Sequence, residues 1–387
     1  MSNPSITMFN CGFGDAFRIN MPDRNPLYVD FGIHSLSLSE KKTDCYNYVL
    51  EDMISNEESS FLLTHYHLDH YSGLIYAIKN GYNVNFKRLY VPCVWDEDCT
   101  DIVSLLLLSD MAAGGGDRIN IIDLFIAICK IPGKLILVSE GARIEQDFVA
   151  LWPNKESIKK KASDSLGGIW QSGVYTIEGN FVEVRKLADD LIKVVNNIVT
   201  ISANGEDKSS EINSLNDLQR RFREIESILR IEGNDTLNLN EFGNHVSIVM
   251  HNIIDSGCNN ILFTGDADRT ILKKIEGRRL SCAFSHALCC CGLGLHDKYQ
   301  IIKVPHHGTK AYYFDFTKYI IPQKTTLLIP NGDISKWGID PSYEYDASCA
   351  NVYSTNNECV LKWKNKCQSC NSKHYTAKYV SSLELRL

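Results

Sequence analysis

The sequence predicts an α/β protein in which helices are layered on sheets, and three observations carry that prediction. Short apolar runs of strand composition alternate with segments of helical spacing over residues 1–153. The same alternation returns over residues 241–387. Between them, residues 154–240 turn polar and helix-like, which reads as an insert between two halves of one sheet-containing unit.

Ile6, Met8 and Phe9 open the first strand, and Gly12, Gly14 and Asp15 lead to a second over Ala16–Ile19. Pro22, Asp23, Arg24 and Asn25 have turn composition, and Leu27–Asp30 is the third strand. A helix is expected over Tyr46–Ile54, a buried strand over Phe61–Leu63, a helix over Ser72–Lys79 and a strand over Arg88–Val91. Residues 101–131 are helical by pattern, broken at Gly114, Gly115 and Gly116, and Lys134–Val138 and Asp147–Leu151 return to strand character.

In the insert, Val184, Leu187, Leu191, Val194 and Ile198 recur at helical spacing, as do Leu215, Leu218, Phe222, Ile225 and Leu229. These predict a helical hairpin with a loop over Ser202–Glu211, the second helix starting at a capping box of Ser214 and Asp217. Strands are then expected at Val246–Met250, Asn260–Thr264, Ile301–Val304, Thr326–Ile329 and Glu358–Lys362.

Of the 387 residues, 44% are hydrophobic and 22% charged, which excludes a disordered chain, a collagen or a coiled-coil rod. The net charge of −7 supplies no global basic field, so long duplex DNA and anionic membrane are disfavoured as partners. The opening MSNPSITMFN has neither a basic nor an apolar leader region. The longest apolar runs, Ile102–Leu108 and Ile121–Ile131, are too short to cross a bilayer. The expectation is a cytoplasmic protein without a membrane partner, whose fourteen cysteines are mostly buried thiols.

The strongest chemical signal is His65-x-His67-x-Asp69-His70, which places three imidazoles and a carboxylate directly after an apolar strand. Such a loop suits two neighbouring divalent ions, with zinc, manganese or iron compatible with the donors. Asp266 follows a strand and Gly265, and a single carboxylate between two cations bridges both. His306 and His307 follow another strand, where one imidazole serves a metal and the other a proton or an oxyanion.

Taken together and in this order, these elements resemble the metallo-β-lactamase superfamily. The segment Asn10-Cys11-Gly12-Phe13-Gly14-Asp15-Ala16-Phe17 is similar to the Gly-x-Gly-Asp-Ala opening of its ComEC-type branch, named after the competence DNA-uptake protein. Tyr28-Val29-Asp30-Phe31-Gly32, the Asn-x-x-Ser segment at Asn244 and Ser247, Lys303-Val304-Pro305-His306-His307-Gly308-Thr309 and Tyr353-Ser354-Thr355 extend the likeness. It covers about residues 5–153 and 240–365, leaving the helical hairpin as an addition.

The resemblance implies a four-layer αββα sandwich with metals at one edge of its two sheets. It implies His65 and His67 on a first metal, Asp69 and His70 on a second, Asp266 bridging, and His306 closing the second site. His307 is then a proton donor or oxyanion contact, and Asp30 orients a ligand imidazole. Most of the superfamily supplies one more histidine before the bridging aspartate. Here His245 and His251 lie in that interval, His245 as a candidate ligand and His251 as a packing residue.

The function expected is a metal-dependent phosphodiesterase or nuclease in which two cations, zinc or manganese, lower the pKa of water and take up developing charge. Short or single-stranded nucleic acid, or a small phosphodiester, suits the acidic chain better than duplex. The alternatives are a carboxylic ester, lactone or lactam hydrolase using the same metals, and a binding module with a vestigial site.

Weaker signals stand beside these. Cys359, Cys367, Cys370 and His374 have zinc-knuckle spacing, or are ordinary thiols. Cys289, Cys290 and Cys291 point in different directions in any regular structure and read as packing. Arg220, Arg221, Arg223 and Arg230 either guide a polyanion or, interleaved with Glu224 and Glu226, form a solvated face. The insert is expected to cap the site or to dock a protein partner.

Overall fold

The computed structural model describes residues 5–34, 39–56, 58–113, 119–171, 177–228, 234–253, 260–282, 293–332, 338–343, 350–355, 378–379 and 382–386. Gly114–Gly116, Leu229, Arg230, Cys289–Cys291, the strand expected at Glu358–Lys362 and the Cys359, Cys367, Cys370, His374 set lie outside the described residues.

The first sheet opens as an antiparallel meander of β1 (Ser5–Phe9), β2 (Ala16–Asn20) and β3 (Leu27–Phe31), as the early strand pattern predicts. It continues in parallel through β4 (Ser60–Leu62), β5 (Arg88–Pro92) and β6 (Lys134–Val138). The helices between them are α1 (Ser39–Ser55), α2 (Leu68–Lys79), α3 (Thr100–Ala113) and α4 (Ile121–Lys130). Helix α4 has its start fixed by a reciprocal cap between Asn120 and Asp123.

The second sheet runs β7 (Arg143–Ile144), β8 (Phe148–Trp152), β9 (Val249–Asn252) and β10 (Ile261–Phe263) as antiparallel neighbours. Strands β11 (Ile301–Lys303), β12 (Thr326–Ile329), β13 (Asn351–Ser354) and β14 (Lys378–Tyr379) then follow in parallel. Sequence patterning missed the last strand, β15 (Ser382–Arg386), which returns to the first sheet and pairs antiparallel with β1.

Alternation along the strands explains how the sheets meet. Ile6 and Met8, Phe17 and Ile19, and Leu27 and Val29 point to one face of the first sheet. They join Ile248, Met250, Ile261, Phe263, Ile301 and Leu328 of the second region in one buried cluster. Phe17 meets Phe263 edge-to-face at 5.3 Å across this interface. The opposite faces pack against helices in a second, larger cluster that includes α2, α4 and α9 (Arg269–Cys282). The protein is therefore a mixed α/β fold with two mixed sheets.

The expected hairpin insert is larger than the periodicity suggested. It comprises α5 (Lys155–Gln171), α6 (Ile177–Asn204), α7 (Glu211–Ile228) and α8 (Asn234–His245). Leu187, Leu191, Ile198, Leu215, Leu218 and Phe222 are buried as their spacing implies. The helical insert packs on the first sheet region, with α6 against α3 and β6 and α7 against α4. Ser214 does not cap α7 but lies inside it; Asp207, upstream, accepts from Ser209 N and caps the preceding 3-10 turn. The strand expected from Val246 begins only at Val249, because residues 246–248 are taken by the site: Ile248 N donates to Thr64 O, and Ser247 Oγ accepts from Asp266 N.

Among the described residues, no helix is long and apolar enough to cross a membrane.

Candidate metal centre

The parallel strands of both sheets end at one edge, and their C-terminal ends supply the site. Strand β3 delivers Asp30, β4 leads into Thr64–His70, β10 into Gly265 and Asp266, and β11 into Pro305–His307. Ligand sites gather at such strand ends in open α/β sheets because the connecting loops converge there. Helix α2 begins at Leu68, earlier than the sequence suggests, so Asp69 and His70 sit in its first turn.

Close backbone approaches hold the loops together. A side chain at Gly32 would meet the Asp69 carbonyl carbon at 2.3 Å and His70 N at 2.4 Å. Asp15 N donates to Asp69 O, and Gly32 N donates to Asp15 O. The glycine-rich opening motif is therefore a clamp on the His65–His70 loop, and it brings Asp15 into the buried cluster, a residue to which sequence reading gave no role.

Hydrogen-bond accounting fixes the direction of three imidazoles. Asp30 accepts from Thr64 N and Thr64 Oγ1, both at 2.7 Å, and from His70 Nδ1 at 2.8 Å. The Thr64 hydroxyl proton is thus committed to Asp30, so Thr64 Oγ1 accepts from His65 Nδ1 at 3.1 Å. His307 Nδ1 donates to Pro330 O at 2.9 Å and lies 3.2 Å from Asp15 Oδ1. Each imidazole therefore anchors Nδ1 on the scaffold and turns Nε2 inward. The three Nε2 atoms converge on Asp266 Oδ2, at 3.9 Å from His65, 3.4 Å from His70 and 3.5 Å from His307. His70 and His307 are fully buried, and their Nε2 atoms have no hydrogen-bond partner. His67 Nδ1 lies 3.1 Å from His65 Nε2, and Asp69 Oδ2 lies 3.3 Å from His307 Nε2.

Lys303 supplies the countercharge that sequence reading overlooked. Its ammonium is 2.6 Å from Asp15 Oδ2 and 3.2 Å from Asp266 Oδ1, and it donates to Gly265 O at 2.9 Å. One oxygen of Asp266 is thereby tied to Lys303 and the other left facing the imidazoles. Burial alone would raise the Asp266 pKa; Lys303, then His70, His307 and His306, outweigh it and hold the carboxyl well below the usual range. Two of the imidazoles move up, whereas burial and the neighbouring His70 and His67 hold His65 well below the usual imidazole range. Burial would depress His70 and His307, but Asp266 and the neighbouring carboxylates raise both, His307 to about 9. The pocket thus has more negative charge than Lys303 balances and draws positive charge inward.

Asp30, His306 and His307 have positive φ of 57°, 45° and 55°. Such left-handed conformations cost about 1–3 kcal/mol each where a side chain is present. The two consecutive left-handed residues break strand alternation and turn His307 inward and His306 to the rim, where it is 25% exposed. His306 lies 3.9 Å from Asp266 Oδ2. Thr309 Oγ1 donates to His306 O, so it accepts from His306 Nδ1 at 2.8 Å, and His306 Nε2 carries the lone pair. Burial pushes the His306 pKa down to about 4.

At this edge, two groups of ligand atoms lie within 4.8 Å of one another: His65, His70 and Asp266, and Asp69, His70 and His307. Asp15, Asp30 and His70 form a third such group, which is closed by its own hydrogen bonds and by Lys303. Of the two histidines, expected as ligand (His306) and proton donor (His307), His307 joins the second group and His306 joins none. His245 joins none; its Nδ1 is 3.3 Å from Asp268 Oδ2. His251 is buried, meets the Tyr299 hydroxyl at 2.9 Å and stacks on His296, a packing role. Arg220, Arg221 and Arg223 are paired with Asp217, Glu224, Asp190 and Glu226, as a solvated face requires.

No family model matches the chain, and no curated protein matches it.

Proposed function

We propose that this chain is a metal-dependent hydrolase of phosphodiesters, built on a four-layer αββα sandwich of the metallo-β-lactamase type. The observation that carries the reading is the convergence of three scaffold-anchored imidazoles on one oxygen of Asp266, two of them with buried, unpartnered Nε2 atoms. Buried polar atoms without partners are rare in proteins and point to a group the chain does not itself supply. The donor set of neutral nitrogen and carboxylate oxygen fits zinc or manganese.

His65, His67 and Asp266 would hold one cation, and Asp69, His70, His307 and Asp266 the other. Bound there, a divalent pair lowers the pKa of water and polarises a phosphoryl oxygen. The remaining work belongs to the chain. Asp30 and Thr64 keep His65 and His70 in the tautomer that presents Nε2. Lys303 holds Asp266 so that a single oxygen faces both groups. His306 stands at the rim with a bare Nε2, placed to accept a proton.

Hydrolysis of bis(p-nitrophenyl) phosphate with added zinc or manganese tests the reading. The wild type is expected to turn the substrate over and Asp69→Ala to lose at least about a hundredfold. Equal rates in both proteins would remove phosphodiester chemistry from this site. Turnover of a lactone or ester in its place would select the alternative hydrolase.

A further inference from the structure

One wall of the site remains unused by the donors above. It is formed by the end of α8 and by the turn after β11. Asn244, 3% exposed, donates from Nδ2 to the Tyr312 hydroxyl at 2.8 Å. The Tyr312 ring lies flat on His306, with centroids 3.9 Å apart and 9° between planes. His306 Nε2 is in turn 3.9 Å from Asp266 Oδ2. The contacts therefore run without a gap from the insert to the carboxylate at the centre. Glu241, then Asp266 and Asp268, bear on the Tyr312 phenol, which places it within electrostatic reach of the cluster.

The pair holds an unused donor. Tyr312 oxygen accepts from Asn244, so its own O–H proton is not committed to that contact. Asn244 Oδ1 is buried and has no hydrogen-bond partner. The phenol's free proton belongs to this amide orientation, with Asn244 Nδ2 as donor; in the exchanged orientation the phenol would donate to Oδ1 and the leftover donors would be the amide N–H groups. Tyr312 is partly buried, and the ring it stacks on, His306, is 25% exposed at the rim of the site.

We infer that the Tyr312 hydroxyl, positioned by Asn244 and by its stack on His306, donates a hydrogen bond to a non-bridging phosphoryl oxygen of the substrate. The inference rests on the metal-hydrolase reading and adds a substrate contact to it. A preorganised donor beside a cation site stabilises the oxyanion that such a substrate presents. Phenylalanine at 312 keeps the ring and the stack and removes only the donor.

The test is calorimetric titration of inorganic phosphate into the manganese-loaded full-length protein, with manganese counted in the same samples. Tyr312→Phe is expected to keep wild-type manganese content and to weaken phosphate about tenfold, ~1.4 kcal/mol. Asn244→Ala, which frees the phenol, is expected to weaken it about threefold. Equal phosphate affinity in wild type and Tyr312→Phe at equal manganese content would overturn the inference, the donor then serving water alone. Loss of manganese from Tyr312→Phe would also overturn it, by tying the phenol to the metal ligands. A wild type that holds manganese and takes no phosphate would overturn it and leave the metal reading standing. A wild type that takes up neither manganese nor zinc would remove both.

Discussion

Lys303 is buried on β11 between two buried carboxylates, Asp15 and Asp266, each within salt-bridge distance of its ammonium. Removing one partner of a buried ion pair leaves the other charges uncompensated, at a cost of about 3–5 kcal/mol. Lys303→Met is therefore expected to unfold at markedly lower urea concentration in the metal-free state. Added zinc or manganese should restore part of the loss, since a cation that binds only the folded form stabilises it by mass action. A change below about 1 kcal/mol would mean that Lys303 does not balance this pocket. The residue stands in the Lys-x-Pro-His-His-Gly motif, yet sequence reading gave it no role. A lysine on a short apolar strand signals a buried charge only when the carboxylates facing it are known, and those arrive from β10 and from the glycine-rich loop. The inward turn of His307 was hidden for a related reason. Strand alternation sets side-chain direction only while the backbone stays extended, and here it turns left-handed at both residues.

At the scale of elements, α8 ties the insert to the site. A Cβ at Gly243 would lie 2.1 Å from His67 Nε2, so a glycine here lets this helix end approach the His65–His70 loop. Gly243→Ala is expected to push His67 aside and to weaken one of two metal sites about 10–100-fold, the range typical when a ligand loses its support. Stepwise zinc titration checks this: two equally tight sites in the variant would show that α8 does not set His67. Helices α3, α4 and α7 meet at Asp110, whose carboxylate accepts from Ile121 N. Burial pushes its pKa up to about 7; Ile121 N and Arg223 pull it down, while Asp123 and Glu226 add to the rise. The folded state thus keeps a proton that the unfolded chain releases near pH 4. Stability from this group is present below about pH 4 and is lost as pH rises through about 7, at most ~4 kcal/mol. Asp110→Asn should flatten the decline in melting temperature between pH 5 and pH 8; an unchanged slope would contradict the assignment. The helices themselves were legible from 3.6-residue spacing, which located the buried faces of α6 and α7. Their number was not: α5 and α8 are short of regular apolar spacing, and α8 is held by α3 and α5.

Over the whole molecule, the two sheets play matched parts. Each has an antiparallel half and a parallel half, and the parallel halves end together at the edge where Asp30, His65–His70, Asp266 and His307 meet. Sequence reading found most of these residues because ligand-type side chains clustered after apolar strands, a pattern local enough to see without the fold. The joining of the two sheets, the return of β15 to β1 and the wall formed by Asn244 and Tyr312 depend on contacts far apart in the chain, and no local pattern marks them. The central claim is that this edge binds two divalent cations around Asp266 Oδ2. Anomalous diffraction from crystals grown with manganese or zinc tests it most directly. The account predicts two peaks, one beside His65 and His67 and one between Asp69, His70 and His307, with Asp266 between them. Crystals soaked to saturation with no peak at this edge, or with metal bound only elsewhere, would contradict it.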